Sequence, residues 1–400
     1  MSQRSALIVG AGIGGLTAAL ALAQRGWQVL ILEQAEQLSA LGAGIQLGPN
    51  AVRLLHGLGL EQTLAERGFA PEAIVARDWR SGRLLTRESL GESARQRWGA
   101  PYWQLHRADL QQILRQAVRE TPAIELRLGA AVSRIDIDSR RVHTAEGRDT
   151  AHLIIGADGI HSRVRESLFG GQAARYTGQS AWRLLVPSRR LEGPAPPPEA
   201  AIWMGPGRHL VHYYLRGARL INCVAVVEKS SWPHESWTHP GDYAELTGEF
   251  AAAHPALRRL IEAGAEEGRC FQWGLFDRPP LPRWHRGAVA LLGDACHPSL
   301  PFLAQGAAMA IEDALVLATC LAETPRIESA LSHYTARRWQ RCTAVQTRSR
   351  RNARLFHLTG VLAALRNLAL LSGLASPART TRWLYGFDAL QAGSGQQPPD

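Results

Sequence analysis

The sequence predicts an α/β fold in which a parallel-sheet part is interrupted by an inserted antiparallel sheet and followed by a helical C-terminal region. Three observations predict it. Residues 5–33 read as a β-α-β unit, whose usual length is about 30 residues. Strand-like runs separated by short turns follow the proline-rich segment 192–200. A buried strand then returns at residues 288–292, and the chain reads as mostly helical from Arg326 to Phe387.

The β-α-β unit begins with S-A-L-I-V-G at residues 5–10, a short apolar run that ends in glycine. A helical pattern carried by Leu16, Leu20 and Leu22 follows and ends near Gly26. The next run, W-Q-V-L-I-L-E, ends at Glu33. Continuous apolar strands of this kind are typical of a sheet that is buried on both faces, and therefore of a parallel sheet.

The turn of this unit carries G-x-G-x-x-G at Gly10, Gly12 and Gly15, with a further glycine at Gly14. The first glycine allows the tight turn, the second allows close approach of a pyrophosphate, and the third allows helix and strand to pack. A helix N-terminus then offers amide groups to the anion. Glu33 ends the second strand, where a carboxylate can bind an adenosine ribose. This Rossmann-like pattern predicts a dinucleotide and leaves FAD and NAD open.

The rest of the chain divides by composition. The segment 192–200 (E-G-P-A-P-P-P-E-A) reads as an extended loop. Two later runs, 209–215 and 219–227, are separated by R-G-A and predict a hairpin. The predicted organisation is a cofactor-binding domain from residues 1–175 and 273–330, a substrate-binding sheet at 176–272, a helical region at 331–390 and a disordered tail at 391–400.

Composition narrows the class of protein. Of 400 residues, 46% are hydrophobic and 20% are charged, which is typical of a globular protein. The five cysteines form no C-x-x-C pair, which argues against a zinc module and favours a reducing compartment. The N-terminus has no export signal. The apolar stretch Val361–Ala375 is shorter than the ~20 residues of a membrane span. We therefore expect a soluble cytoplasmic protein.

Two later motifs repeat the pattern of a strand ending in small and acidic residues. Residues 153–165 read L-I-I-G-A-D-G-I-H-S-R-V-R, and residues 288–313 read A-V-A-L-L-G-D-A-C-H-P-S-L-P-F-L-A-Q-G-A-A-M-A-I-E-D. With the N-terminal glycines, they resemble the fingerprints of the FAD-dependent aromatic hydroxylases of the p-hydroxybenzoate hydroxylase fold. Within that family the chain is most similar to the branch of 3-hydroxybenzoate 6-hydroxylase, salicylate hydroxylase and 6-hydroxynicotinate 3-monooxygenase. The resemblance spans nearly the whole chain.

The resemblance implies FAD as cofactor and NADH or NADPH as cosubstrate. It places the Asp294 side chain at the ribityl chain and the backbone amides near Gly306 and Ala307 at the pyrimidine end of the flavin. Negative charge on the reduced ring would be stabilised by a helix N-terminus there. It also places Arg107 beside the pyrophosphate and adds Gln46 and Val132 to the cofactor-binding residues.

Asp158 and His297 each have a structural alternative. Asp158 is expected both to bridge the cofactor and to cap a helix, a role worth roughly 1 kcal/mol. His297 lies beside Cys296 in a glycine-flanked loop. A metal site would need further ligands at suitable spacing, and none is evident. Adjacent residues on an extended chain also point apart, so a nucleophile pair is not expected and His297 is assigned a structural or flavin-facing role.

The run His209–Leu215 is the predicted substrate-facing strand. Alternation places His209, Val211, Tyr213 and Leu215 on one face and leaves His212 on the other, where we assign it a structural role. His209 and Tyr213 are similar to the pair that related hydroxylases use to contact a ring hydroxyl. A histidine with a pKa near 6.5 can remove the phenol proton, and a phenolate is the better ring nucleophile. Tyr213 would relay that proton or orient the substrate.

Two positions depart from the relatives. Pro301 stands where the 3-hydroxybenzoate 6-hydroxylases carry glutamine, and it supplies a rigid wall and a carbonyl acceptor but no side-chain donor. Gln46 matches the hydroxybenzoate enzymes, whereas the hydroxynicotinate enzymes carry histidine. Both residues are assigned to the substrate pocket, and the exact aromatic substrate stays open.

The predicted function is an FAD-dependent monooxygenase that hydroxylates a phenolic aromatic acid of the hydroxybenzoate or salicylate type with O₂ and NAD(P)H, through a flavin hydroperoxide. One alternative is a flavin monooxygenase acting on a non-acid aromatic such as a quinolone, heteroaromatic or polyketide phenol. A second is a flavin-binding protein without catalysis. A nucleic-acid-binding protein is disfavoured because the chain lacks a recognisable module and interleaved lysines.

The net charge of +10 is concentrated near the C-terminus. Between residues 329 and 387 there are ten arginines and no Asp or Glu, while the rest of the chain is balanced. One interpretation is a solvated face beside a packed helix. The other is a basic amphipathic surface that contacts a second subunit or an anionic lipid.

Overall fold

The computed structural model describes residues 4–37, 44–232, 239–265 and 270–391, within which the chain forms eighteen strands and twelve α-helices. The strands are β1 Ser5–Val9, β2 Gln28–Leu32, β3 Gly44–Leu47, β4 Ala73–Asp78, β5 Leu84–Ser89, β6 Trp103–His106, β7 Ile124–Arg127, β8 Arg134–Asp136, β9 Arg141–Thr144, β10 Gly147–Thr150, β11 Leu153–Gly156, β12 Arg175–Pro187, β13 Glu199–Gly205, β14 Arg208–Leu215, β15 Leu220–Glu228, β16 Cys270–Asp277, β17 His285–Arg286 and β18 Val289–Leu291. The helices are α1 Ile13–Ala23, α2 Pro49–Gly57, α3 Glu61–Arg67, α4 Glu92–Trp98, α5 Arg107–Arg119, α6 Arg163–Phe169, α7 Tyr243–Glu249, α8 Pro255–Ala265, α9 Gly306–Glu323, α10 Ile327–Phe356, α11 Gly360–Leu371 and α12 Ala378–Tyr385. Apart from Gln391, the predicted disordered tail lies outside the described residues.

The first layer is a six-stranded sheet in the order β17-β18-β11-β1-β2-β7. Its strands pair in parallel except for the short edge strand β17. Every residue of β11 is buried, as the unbroken apolar run predicts. The predicted β1-α1-β2 unit is confirmed, and α1 packs against α9 as well as against the sheet. The strand ends of this sheet carry all three sequence motifs.

The second layer is a seven-stranded sheet in the order β16-β12-β15-β14-β13-β4-β5. The predicted β14–β15 hairpin is present, and both Arg216 and Ala218 in its turn have left-handed backbone conformations. Two strands, β4 and β5, come from residues 73–89, outside the predicted range 176–272. One pairing, between β13 and β4, is parallel, so the sheet is mixed rather than wholly antiparallel. Local sequence patterns do not encode such long-range pairing.

One face of this second sheet is covered by α7 and α8. The core there joins Trp182 and Leu210 of the sheet to Phe250, Leu257 and Ile261 of the helical segment. With this face sealed by helices, only the opposite face is left to border the cavity described below.

The C-terminal region is helical, as predicted, but part of its positive charge is internal. Arg338 and Arg341 on α10 form buried ion pairs with carboxylates of α9, and Arg350 pairs with Asp277 at the end of β16. By contrast, none of the residues of α11 is buried. No single helix in the described part of the chain is long and apolar enough to cross a membrane; α10 and α11 meet that criterion together, with a bend of 113° between them.

Candidate active site

A cavity of about 1980 Å³ is bordered by motif residues of the first sheet and by the uncovered face of the second sheet. Most of the sequence-predicted site residues line it: Gly12, Gly14, Gln46, Arg107, Asp158, His209, Val211, Tyr213, Asp294, Pro301, Gly306 and Ala307. Four others, Gly10, Gly15, Glu33 and Val132, do not line it. The three motifs and the strand β14 therefore meet at one place although they are up to about 300 residues apart in sequence.

The glycines of the first motif have different physical roles. Gly10 has φ of +103°, and a Cβ there would lie 2.6 Å from the Ala157 carbonyl oxygen. A Cβ on Gly15 would lie 2.0 Å from the Gly10 carbonyl oxygen. These two glycines let β1, β11 and α1 pack closely. A Cβ on Gly12 meets nothing within 4 Å, so this glycine borders open space at the start of α1.

The N-terminus of α1 is suited to an anion. No side chain caps the helix, and its first turn contains no acidic residue. The first amides of a helix lack partners inside it, and the helix dipole favours negative charge there. The open space beside Gly12 can therefore accept a pyrophosphate.

Glu33 stabilises the glycine turn directly. Its Oε2 accepts a hydrogen bond of 2.7 Å from the Ala11 amide, and its Oε1 accepts one of 3.0 Å from the Ala35 amide. Val132 packs against the main hydrophobic core rather than bordering the cavity. Its predicted contact with the cofactor stays a prediction.

Asp158 is not the N-cap residue of α6, because Ser162 occupies that position and accepts a hydrogen bond from the Arg165 amide. The Asp158 Oδ2 accepts a hydrogen bond of 3.1 Å from the Val164 amide. The side chain therefore still provides a partner for one of the free amides in the first turn of α6. Its Oδ1 is buried and has no partner among the described residues, although Asp158 lines the cavity. Burial raises the pKa of this carboxyl. A donor from a bound ligand would satisfy Oδ1.

Arg165 links the second motif to the third. Its guanidinium donates to the Ile160 carbonyl at 2.8 Å and to the Ala295 carbonyl at 3.1 Å. Asp294, the residue before Ala295, faces the cavity, and burial raises its pKa while the charges of His297 and Arg107 oppose that shift.

Helix α9 begins at Gly306, as predicted, and directs its N-terminus into the same cavity. Its N-cap Gln305 makes no capping hydrogen bond through its side chain, and the first turn has no acidic residue. The first amides of α9, at Gly306 and Ala307, can therefore stabilise a second negative centre.

His297 is part of a buried ion-pair network. Its Nε2 lies 2.6 Å from the Asp313 Oδ2, and the Arg338 Nε donates to the Asp313 Oδ1 at 2.7 Å. Burial alone would lower the pKa of His297, but Asp313 and Cys342 raise it well above its ordinary value. His297, Asp313 and Cys342 lie close enough to share a metal ion. However, the two cations already compensate the carboxylate, which supports the structural role predicted for His297.

The strand β14, predicted to face the substrate, places His209, Val211 and Tyr213 at the cavity, while Leu210 and Tyr214 pack in the core under α7 and α8. His209 is buried between Phe302 and Phe356. Burial, followed by the charge of His357, lowers its pKa well below the ordinary value.

Tyr213 packs directly on the backbone of β3. A Cβ on Gly44 would lie 2.5 Å from its ring, so this close contact requires a glycine. Burial raises the pKa of Tyr213, which keeps the phenol protonated. Its hydroxyl makes no hydrogen bond to another described residue and so can meet a ligand.

Gln46 and Pro301 both border the cavity. The Tyr102 hydroxyl donates to the Gln46 Oε1 at 2.8 Å and fixes the amide. Pro301 begins a short 3₁₀ turn, and its carbonyl accepts from the Ala304 amide at 3.0 Å. The predicted rigid wall is therefore present, but the carbonyl that was predicted to be an acceptor is already hydrogen-bonded within the turn.

Arg183 on β12 is a site residue that the sequence analysis missed. It lines the cavity, stacks over the Trp273 ring at 4.5 Å, and has no ion pair or hydrogen bond to any described residue. Burial lowers its pKa to about 10, and the charge of Arg107 lowers it as well. The lone charge within the apolar run A-W-R-L-L-V was the available signal. Arg183 is half-buried, and a cation that is partly removed from water without a carboxylate beside it is stabilised by a ligand that supplies an anion.

Two helix ends without side-chain caps, an acidic side chain with an unsatisfied oxygen and a cavity bordered by aromatic side chains are suited to an anionic cofactor and an aromatic ligand. A family model described as an FAD binding domain matches residues 3–197 and 271–349, and the chain belongs to this family. The open space at Gly12 and the free Asp158 Oδ1 fit FAD as its cofactor.

Characterised relatives are similar over most of the chain. A 3-amino-4-hydroxybenzoate 2-monooxygenase of Streptomyces cremeus is 39% identical, with 96% of this chain and 95% of the relative covered. A 6-hydroxynicotinate 3-monooxygenase of Bordetella bronchiseptica is 39% identical, with 86% and 90% covered. A 3-hydroxybenzoate 6-hydroxylase of Polaromonas naphthalenivorans is 38% identical, with 96% of each covered. The chain is thus an FAD-dependent aromatic hydroxylase, as the motifs predicted.

Solved structures agree on the fold. HpxO of Klebsiella pneumoniae, complexed with FAD and uric acid, matches with a TM-score of 0.83 and 28% identity, covering 98% of this chain and 97% of that one. A salicylate hydroxylase in complex with substrate matches with a TM-score of 0.81 and 26% identity over the same shares. The p-hydroxybenzoate hydroxylase fold is therefore confirmed.

Proposed function

We propose that this enzyme hydroxylates the ring of a phenolic aromatic acid of the hydroxybenzoate type, with O₂ and NADH or NADPH as cosubstrates. The observation that carries the proposal is that His209 and Arg183 both line one cavity, which aromatic side chains also border. The first offers a base for a ring hydroxyl, and the second offers a cation for a carboxylate. The relatives named for 3-hydroxybenzoate and 6-hydroxynicotinate act on rings that carry both groups.

His209 is proposed to remove the proton of the ring hydroxyl. Its lowered pKa keeps the imidazole neutral near neutral pH, so the Nε2 can accept a proton. Tyr213 stays protonated and donates to the same oxygen, holding the ring in place. Bound FAD supplies the transfer of one oxygen atom from O₂ to the ring.

Arg183 is proposed to hold the substrate carboxylate. Its guanidinium presents several donors in a fork that matches a carboxylate in two hydrogen bonds. The Trp273 ring stacks on the guanidinium and fixes its orientation. Gln46, Val211 and Pro301 complete the proposed substrate pocket as a polar amide and two apolar walls. The proposed FAD contacts remain those predicted, with Arg107, Asp294 and the start of α9 at the cofactor.

Arg183→Met is expected to raise KM for a hydroxybenzoate by roughly 100-fold, because a charged hydrogen-bonded pair in a cavity contributes about 2–3 kcal/mol. KM for the matching phenol without a carboxylate should change less than about twofold. The measurement is NADH oxidation coupled to product identification over monohydroxybenzoates, salicylate, hydroxynicotinates and phenols.

The matched control is Arg189→Met, which removes an exposed arginine just beyond β12. If Arg183→Met raised KM equally for substrates with and without a carboxylate, Arg183 would not be the residue that binds the carboxylate. Turnover of bulky phenols or heteroaromatics alone would assign the enzyme to non-acid aromatics, and FAD binding without substrate-stimulated reduction would indicate a protein without catalysis.

We further propose that α11 rests on an anionic membrane surface within the cytoplasm. Val361 is 75% exposed, Leu368 62% and Leu374, just beyond the helix, 88%. Exposed arginines precede and follow this segment in sequence at Arg351, Arg354, Arg379 and Arg382, and all of them except Arg354 also border the cavity. Two copies of this face would bring like charges together, whereas anionic headgroups complement them. The free, buried thiols of all five cysteines are compatible with a reducing compartment.

Vesicle flotation checks this surface. We expect the enzyme to float with phosphatidylcholine vesicles that contain phosphatidylglycerol and to be released by salt, while vesicles of phosphatidylcholine alone do not bind it. The double variant Val361→Gln, Leu368→Gln should lose flotation, and Leu390→Gln, an exposed leucine outside α11, should retain it. A dimeric mass that the double variant makes monomeric, without vesicle binding, would assign the face to a second copy instead.

A further inference from the structure

A chain of side chains connects the active-site cavity to solvent through His209. The His209 Nδ1 lies 2.8 Å from the His357 Nε2. The His357 Nδ1 lies 3.2 Å from the Glu228 Oε1. His209 is 2% exposed and His357 4%, whereas the Glu228 side chain is 58% exposed. The three groups therefore lead from a buried base to bulk water in two hydrogen bonds.

We propose that His209, His357 and Glu228 form a relay that carries the substrate's hydroxyl proton from the cavity to solvent. The proposal rests on the proposed function, since it takes His209 as the base. It assigns His357 and Glu228 a part in the reaction, although neither touches the substrate.

Proton transfer along this chain balances without any other reactant. The substrate O–H bond breaks and its proton binds the His209 Nε2. The His209 Nδ1 proton passes to the His357 Nε2, the His357 Nδ1 proton passes to Glu228, and Glu228 releases a proton to water. Both imidazoles stay neutral overall and exchange tautomers. Transfer in the reverse direction returns a proton to the product oxygen and resets both rings.

The surroundings of His357 suit both tautomers. When its Nδ1 carries a proton, it donates to the Glu228 carboxylate. When that proton has left, the Gln179 Nε2, 3.3 Å away, can donate to the bare Nδ1. A histidine that only supported packing would need one of these partners. Here a donor and an acceptor meet the same nitrogen.

Burial lowers the pKa of both histidines of the relay and favours their neutral forms. Burial lowers the pKa of His357; Glu228 raises it, and Arg208 and Arg366 lower it further. His209 faces two phenylalanine rings and His357, and Arg183 and Tyr213 line the same cavity from the same sheet. Neutral imidazoles each carry one donor and one acceptor nitrogen, which a relay requires.

The position of His357 follows from the fold. It is the residue directly after α10, and its carbonyl accepts a hydrogen bond of 3.0 Å from the Gly207 amide in the turn between β13 and β14. Glu228 ends β15, and its amide donates to the Gly207 carbonyl at 2.9 Å. The backbone thus holds the helix end, the turn and the strand end together, so the relay geometry does not depend on side chains alone.

The test measures how fast a bound phenol loses its proton. The probe is 3-hydroxy-4-nitrobenzoate, whose phenolate is coloured, mixed with the oxidised FAD-loaded enzyme in a stopped-flow spectrometer. We expect Glu228→Gln and His357→Gln to slow phenolate formation about tenfold or more, with probe affinity and FAD content within about twofold of the wild type. Added formate or imidazole should restore the rate in Glu228→Gln, because a small base can replace the exposed end of the relay.

Glu249→Gln is the matched control, because this carboxylate pairs with Arg208, whose charge acts on His357, but does not itself contact His357. It should form phenolate at the wild-type rate. Wild-type rates in Glu228→Gln and His357→Gln, together with a slow rate in His209→Ala, would overturn the relay and leave the base in place. A wild-type rate in His209→Ala would overturn the proposed function of His209 itself.

Discussion

His209→Ala is expected to lower the rate of hydroxylated product formation by about 10²–10⁴-fold while leaving FAD bound, since loss of a positioned general base has an effect of that size. His209 borders the cavity through its side chain, and the predicted FAD contacts lie on other elements. NADH consumption should continue with little product, because hydride transfer to the flavin is a separate step from oxygen transfer to the ring. The measurement is product formed per NADH consumed, together with the flavin content of the purified variant.

The pH dependence gives an independent readout of this base. Burial lowers the pKa of His209 well below its ordinary value, so activity should fall only as acid protonates the ring, on a limb below pH 6.5. This limb should disappear in His209→Ala. His212→Gln is the control, because His212 lies on the same strand and is absent from the cavity lining. Equal loss of FAD and of product in His209→Ala would show that the residue acts on the cofactor site.

Asp313→Asn is expected to lower the free energy of unfolding by about 3–5 kcal/mol, because removing one partner of a buried ion pair leaves the other charges uncompensated. Asp313 is fully buried between His297 and Arg338, and its Oδ2 also accepts the Gly293 amide at 3.0 Å. The variant should therefore bind FAD more weakly too, since Gly293 precedes Asp294. Urea unfolding of the protein with and without FAD separates the two effects.

Glu323→Gln provides the comparison for an exposed ion pair. Glu323 pairs with Arg337 at 2.8 Å and is half exposed, so its loss should change stability by about 0–1 kcal/mol. An Asp313→Asn protein as stable as Glu323→Gln would contradict the assignment of a structural network.

The sign of the pH effect on stability also follows from the network. Burial alone would raise the pKa of Asp313, but His297 and Arg338 lower it to about 2, below its ordinary 3.8. Its contribution is therefore present above about pH 4 and is lost as pH falls towards 2. The pKa of His297 is raised, so its contribution is present below pH 6.5 and is lost as pH rises through the raised value. Both dependences should be reduced in Asp313→Asn.

The parts of the site that the sequence predicted are those encoded by local pattern. Glycine spacing located the start of α1, and alternation located the cavity face of β14, because both depend on neighbours a few residues away. The resemblance to a known family then joined the three motifs. Asp158 was predicted as a cap, but the chain continues to Ser162 before α6 begins, a boundary that a strand-to-helix pattern does not fix.

The parts that were missed depend on contacts between distant segments. His357 meets His209 across 148 residues of sequence, and nothing beside it in the chain marks it as a partner of β14. Arg183 is an isolated charge in an apolar strand. That no described carboxylate forms an ion pair with it is visible only once the surrounding fold is known. The ten C-terminal arginines likewise divide into buried and exposed sets only through α9, which supplies the carboxylates for Arg338 and Arg341.

The strands β4 and β5 limit how this enzyme can be recombined with its relatives. They belong to the seven-stranded sheet but precede β13 by more than 100 residues in sequence, and β4 pairs with β13 over six registered positions from Ala73 to Asp78. A chimera that exchanged residues 176–272 alone would join one parent's β13 to the other parent's β4. Crossover points that preserve the sheet must move both segments together, so laboratory evolution of substrate choice by shuffling should accept paired exchanges of 73–89 with 176–277 and reject single ones.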